Sequence, residues 1–332
     1  MESKMENITN LKKEIQEEIE RRLHKYPLKY IEQTPEICLA AVTRDGYVLE
    51  YVKEQTPELC LAAVTQNGWA LEYVKKQTPE ICMAAVTRDG YVLEYVKKQT
   101  PEICMAAVTQ NGLALRAVEK QTPEICAAAV IQDGYALLYV EEQTPEICMA
   151  AVTQNGRALQ FVEKQTPEIC LAAVKQNGRA LQYVKEQTPE LCRAAVMQED
   201  YYAKKEAEDY DPKQEASEQT GWQALEYVLP ENQTPELCRE AVKQCGIALQ
   251  YVEEQTPEIC LAAVTQYGEA LHYVKEQTPE LCMAAVTQNG GALWFVENRT
   301  PEICLAAIKN DSSYLHMVKD MDMLKQLLEM AQ

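Results

Sequence analysis

The sequence predicts an all-α protein, an α-solenoid of about 13 stacked short helix-turn-helix units with N- and C-terminal capping helices. Three observations predict it. Thr-Pro-Glu recurs every 22 residues from Thr34 to Thr188, and again from Thr234 to Thr300. Apolar residues within a unit fall four apart rather than alternating, and Asn or Asp followed by Gly divides most units in two.

The first helix of a unit is predicted from Pro35 to Arg44. Thr34 supplies a hydroxyl to the free N–H groups, Pro35 needs no donor in the first turn, and Glu36 meets the positive end of the dipole. Ile37 and Ala41, like Cys38 and Val42, then share one stripe, which is the expected core face. Asp45-Gly46 reads as a left-handed C-terminal cap. A second helix is expected from about Tyr47 to Glu54, with Leu49 and Val52 inward. Its Tyr51 position repeats as Tyr in most units, as expected of a ring buried between units with its hydroxyl at an edge. Helices this short are unstable alone in water, so each unit must bury its stripes on the units before and after it.

Leucine-rich repeats share the period but need a different leucine pattern around a strand, and the other common helical repeats are longer by about a dozen residues or more. The unit TPELCLAAVKQNGxALxYV instead resembles the short repeat of the domain of unknown function 4116, a family associated with large DNA viruses, some intracellular bacteria and protists. The resemblance spans roughly Tyr26 to Val318. It implies a repeat protein of unknown role and brings no catalytic or ligand-binding residues. A viral source would imply the host cytoplasm or the virion.

Residues 1–32 read as a capping helix, with Ile8, Leu11, Ile15, Ile19 and Leu23 at helical spacing, followed by a half repeat. Regular units fill 33–196. Residues 197–232 read as a degenerate repeat with an acidic insertion around Asp209, ending in a recognisable second helix at Trp222 to Val228. That acidic stretch lacks the ligand spacing and turn glycine of a calcium loop. Units resume over 233–311, and 312–332 closes the array with Leu315, Val318, Leu324, Leu327 and Leu328 as the expected cap.

The formal charge is −19, with 51 acidic against 32 basic residues, which disfavours a nucleic-acid partner because no basic stripe exists to release counterions. No long apolar run suggests a membrane span. Twelve of the 13 cysteines occupy one register from Cys38 to Cys304, a ladder of small buried thiols expected in the reducing cytoplasm rather than a disulfide set. No CxxC pair occurs and the three histidines are scattered, so neither metal nor cofactor is expected.

Comparing the units with one another separates scaffold from free positions. The residue after Gly varies, and so does the one three later. Together these rows give the candidate partner-binding strip: Tyr47, Glu50, Trp69, Glu72, Tyr91, Glu94, Arg116, Tyr135, Arg157, Arg179, His272 and Trp294. Aromatic residues and Arg are common interface anchors. No nucleophile, base or phosphate loop stands out, and a cysteine repeated twelve times is a poor catalyst. The expected role is a noncatalytic scaffold for protein partners. Two alternatives are a structural component of a larger assembly, such as a virion or cortical layer built by self-assembly, and an acidic mimic of nucleic acid.

Overall fold

The computed structural model describes Glu17 and residues 28–30, 32–197 and 221–330. The predicted N-terminal capping helix, Glu17 apart, and the acidic insertion lie outside them. The described residues are all helix and connection, arranged in two units, Met1–Glu163 and Lys164–Gln332. In each unit, helical layers pack on their sequence neighbours, which is the solenoid arrangement.

In the first unit each layer begins with a ten-residue α-helix, starting with Pro35–Arg44 and ending with Pro145–Gln154. Thr34 accepts a hydrogen bond from the Ile37 N–H at 3.4 Å, and Pro35 occupies the first turn, as the sequence predicts. The helix does not end in a left-handed cap. Asp45 is extended (φ −145°, ψ 107°), and its carboxylate accepts from the Tyr47 N–H at 3.0 Å. The Asp/Asn-Gly dipeptide therefore starts the second helix rather than stopping the first.

The second helix is also not the α-helix expected to reach Glu54. It is a 3₁₀ helix, Gly46–Tyr51, and Val52 is already extended. The reason is a side chain from the start of the same layer. Gln33 Nε2 donates to the Tyr51 carbonyl at 2.8 Å, and its Oε1 accepts from the Lys53 N–H at 2.9 Å. The backbone groups that would continue the helix are thus already bonded. Gln55, Gln77, Gln99, Gln121 and Gln143 repeat the arrangement.

The core lies between the two helices of a layer and those of its neighbours. Leu49, Leu71, Leu93, Leu115, Leu137 and Leu159 are fully enclosed, with Ala41 and Val42 and their equivalents beneath them. Burying each leucine contributes about 1.5–3 kcal/mol, which a single layer with half its faces wet does not collect. The ladder cysteines are buried and free.

The second unit repeats this plan from Pro167–Gln176 to Pro301–Asn310. Its irregular layer is read from Gln187, whose partners are Tyr227 and Leu229. The short helix Gly221–Tyr227 thus completes the layer begun by Pro189–Val196, and residues 198–220 stand between the two helices of one layer. Trp222 fills the place of the usual glycine, buried and stacked on Tyr251 at 6.2 Å. In the last layer Arg299 replaces the glutamine, and its guanidinium donates to the equivalent carbonyl, that of Met317, at 3.3 Å. Met321–Met330 then packs on Pro301–Asn310 and buries Leu327. The expected cap is only partly realised, because Leu315 and Leu328 are exposed.

Candidate interaction surface

In a 3₁₀ helix residues three apart eclipse, so the two variable positions of each short helix stand on one side. Their neighbours Gly46, Leu49 and Val52 face the core. The same helix thus fixes the layer with one set of side chains and presents another.

The structure brings the strip of the first unit into contact from layer to layer. Tyr47 meets Tyr73 edge-on with ring centroids 6.2 Å apart, Trp69 meets Tyr95 at 5.9 Å, and Tyr135 meets Phe161 at 5.9 Å. The Trp69 indole N–H donates to Asp89 at 2.8 Å. The Arg116 guanidinium lies 5.4 Å from the Tyr91 ring centroid and 3.3 Å from the Glu94 carboxylate. Glu50, Glu72 and Glu94 are exposed, as is Tyr47, whereas Trp69, Tyr91 and Tyr135 are half-buried. The Tyr51 series is not enclosed as expected: Tyr51 is 43% exposed, and Tyr73, Tyr95 and Tyr139 are half-buried. Partial burial and then the carboxylates of Glu72 and Glu50 push the Tyr73 phenol up, and burial with Glu72 and Glu94 does the same to Tyr95.

Arg157, in the first unit, and Arg179, in the second, are half-buried, each with a buried Nε that has no hydrogen-bond partner. Elsewhere in the second unit His272 contacts Tyr273 and Phe295 at 5.1 and 5.0 Å. Trp294 is 63% exposed, 6.3 Å from His316.

Three features escaped the sequence reading. The glutamine before every Thr-Pro but the last is one, although it recurs almost as regularly as the cysteine. A second is the exposure of single apolar side chains on the long helices, Leu39 and Ile131 in the first unit and Leu261 in the second. The third replaces two ordinary caps by Cys245 and Tyr267. Tyr267 donates to Glu269 at 2.8 Å, and Glu269 accepts from Asn289 at 3.2 Å. Burial, followed by that bond to Glu269, pushes the Tyr267 phenol up to about 12.

The ladder thiols are all pushed up by burial, Cys192 and Cys238 to about 11, the reverse of the shift that makes a thiol a nucleophile. Among the described residues no helix is long and apolar enough to cross a membrane.

A family model described as Domain of unknown function (DUF4116) matches residues 34–78, 56–100, 78–122, 144–192 and 234–278. No curated protein and no solved structure matches the chain. The matched stretches each hold at least two successive Thr-Pro starts and together cover more than half of the sequence, so the chain belongs to the DUF4116 family.

Proposed function

We propose that this chain is a noncatalytic helical-repeat scaffold that binds protein partners along the exposed rows of its short helices. The observation that carries the reading is the contrast within one element. Gly46, Leu49 and Val52 recur nearly unchanged and are buried, while the positions of Tyr47 and Glu50 change from layer to layer and face outward. A core that tolerates one sequence and a surface that carries many suits recognition of an elongated partner. The buried, weakly acidic thiols suit a reducing cytoplasmic compartment.

Capture from the source cell tests it, comparing the wild type with a variant bearing Trp69→Ala, Tyr91→Ala and Arg157→Ala. Loss of specific partners from the variant is expected. Identical partner sets contradict a role for these rows.

The apolar side chains left exposed on the long helices, Leu39, Ile131 and Leu261, favour a second reading, a structural component of a larger assembly. Light scattering separates the two: a scaffold stays monomeric as concentration rises, and a structural element assembles in an ordered way.

A further inference from the structure

One layer of the first unit holds a cation where its two predecessors do not. Arg116 reaches back from its own layer to the Tyr91 ring and the Glu94 carboxylate. A ring beside a carboxylate suits a guanidinium, which stacks through its face and hydrogen-bonds through its edge. The same pairing recurs as Tyr47 with Glu50 and as Trp69 with Glu72. At the place of Arg116, however, the following layers carry Glu72 and Glu94.

These two seats therefore combine an aromatic ring, its own carboxylate and a second carboxylate in place of a cation. The rings are held in orientation by the next layer, Tyr47 by Tyr73 and Trp69 by Tyr95 and Asp89, whereas Ala117 stands at the corresponding place beside Tyr91. Partial burial raises the Tyr73 and Tyr95 phenols first, and the neighbouring carboxylates of Glu50, Glu72 and Glu94 add to the rise. In the Tyr135 layer Leu138 replaces the glutamate, and the pairing ends.

We propose that Tyr47 with Glu50 and Trp69 with Glu72 each seat an arginine side chain of a partner polypeptide, in the manner of Arg116 on Tyr91 and Glu94. This rests on the reading of these rows as a contact surface and names the chemistry of the partner. Packed helices lie about 8–10 Å apart, so the two arginines must be spaced by about that distance. A polyproline II segment meets the requirement, since residues three apart lie on one side, roughly 9.3 Å from each other. The partner is a basic, extended segment with Arg at every third position.

The probe is a synthetic nonapeptide of three Arg-Pro-Pro units, titrated calorimetrically into the full chain. Saturable binding that weakens with added salt is expected. Glu72→Arg places a cation of the chain itself on the Tyr47 seat and removes the acid of the next, weakening binding by about tenfold or more. Arg116→Ala frees the Tyr91 seat and tightens binding by about tenfold. Both side chains are exposed, and thermal melts are expected to match the wild type. No saturable binding, or an affinity that stays put or moves the other way in either variant, overturns the assignment. Should the peptide fail while the Trp69, Tyr91 and Arg157 variant still loses partners on capture, the arginine seats alone fall. Identical partner sets would remove the strip itself.

Discussion

A Cβ on Gly112 would stand 2.4 Å from the carbonyl oxygen of Ala129 in the next layer. The glycine is there because a neighbouring backbone passes too close for any side chain, and the residue before it is extended rather than followed by a left-handed turn. The sequence was misleading here for a physical reason: Asn-Gly suits a left-handed cap, and equally suits an Asn that caps a 3₁₀ helix beside a crowded glycine. The two explanations differ in what they tolerate. Gly112→Ala and Gly112→Asn are both expected to lower stability in urea unfolding by about 1–3 kcal/mol. Near-wild-type stability for the asparagine variant would restore the left-handed reading. Tyr267 gives a second test at this scale. Its folded pKa of about 12 lies above the ordinary tyrosine value of about 10. The neutral phenol therefore stabilises the fold fully below about pH 10, and that contribution is lost as pH rises toward 12. Absorbance titration of the wild type against Glu269→Gln should show a tyrosine that ionises at about 12 and is brought down in the variant. An unmoved titration in that variant would show that the bond to Glu269 contributes nothing.

Between the two helices of a layer, legibility divides according to where the determining contacts lie. The long helix was readable to the residue because its signals are local: Thr34 bonds three residues ahead, and Pro35 and Glu36 act within the first turn. The short helix was readable in position and facing but not in type. Leu49 and Val52 lie three apart, a spacing that α and 3₁₀ geometry both satisfy. What decides between them is Gln33, 18 and 20 residues from the groups it binds. Recurrence of a glutamine says that it matters and nothing about where it reaches. The cysteine was legible as a core residue, and the structure adds its company: Cys104 Sγ lies 3.4 Å from the Gln99 side-chain oxygen Oε1, which also accepts from the Glu119 N–H. Burial with a raised pKa predicts that the ladder thiols resist alkylation at neutral pH until the chain is unfolded. Mass spectrometry after brief iodoacetamide treatment checks this. Rapid modification of Cys104 or Cys192 in the native chain would contradict it.

For the molecule as a whole, the interior is one layer repeated and the exterior is not. The candidate strip was legible as variation between units, but its contacts were not, since Trp69 with Asp89 and Arg116 with Tyr91 join side chains 20 and 25 positions apart. If stability is a sum over adjoining layers, damage in one layer should remain local. Leu115→Ala removes a fully buried side chain from the middle of the first unit, with an expected cost of about 2–5 kcal/mol. Native-state hydrogen exchange of the full chain measures where that loss is felt. Faster exchange confined to the amides of Gly112–Ala117 and the layers on either side, with protection around Leu49 kept, is the predicted result. An equal loss of protection at every layer of that unit would contradict it.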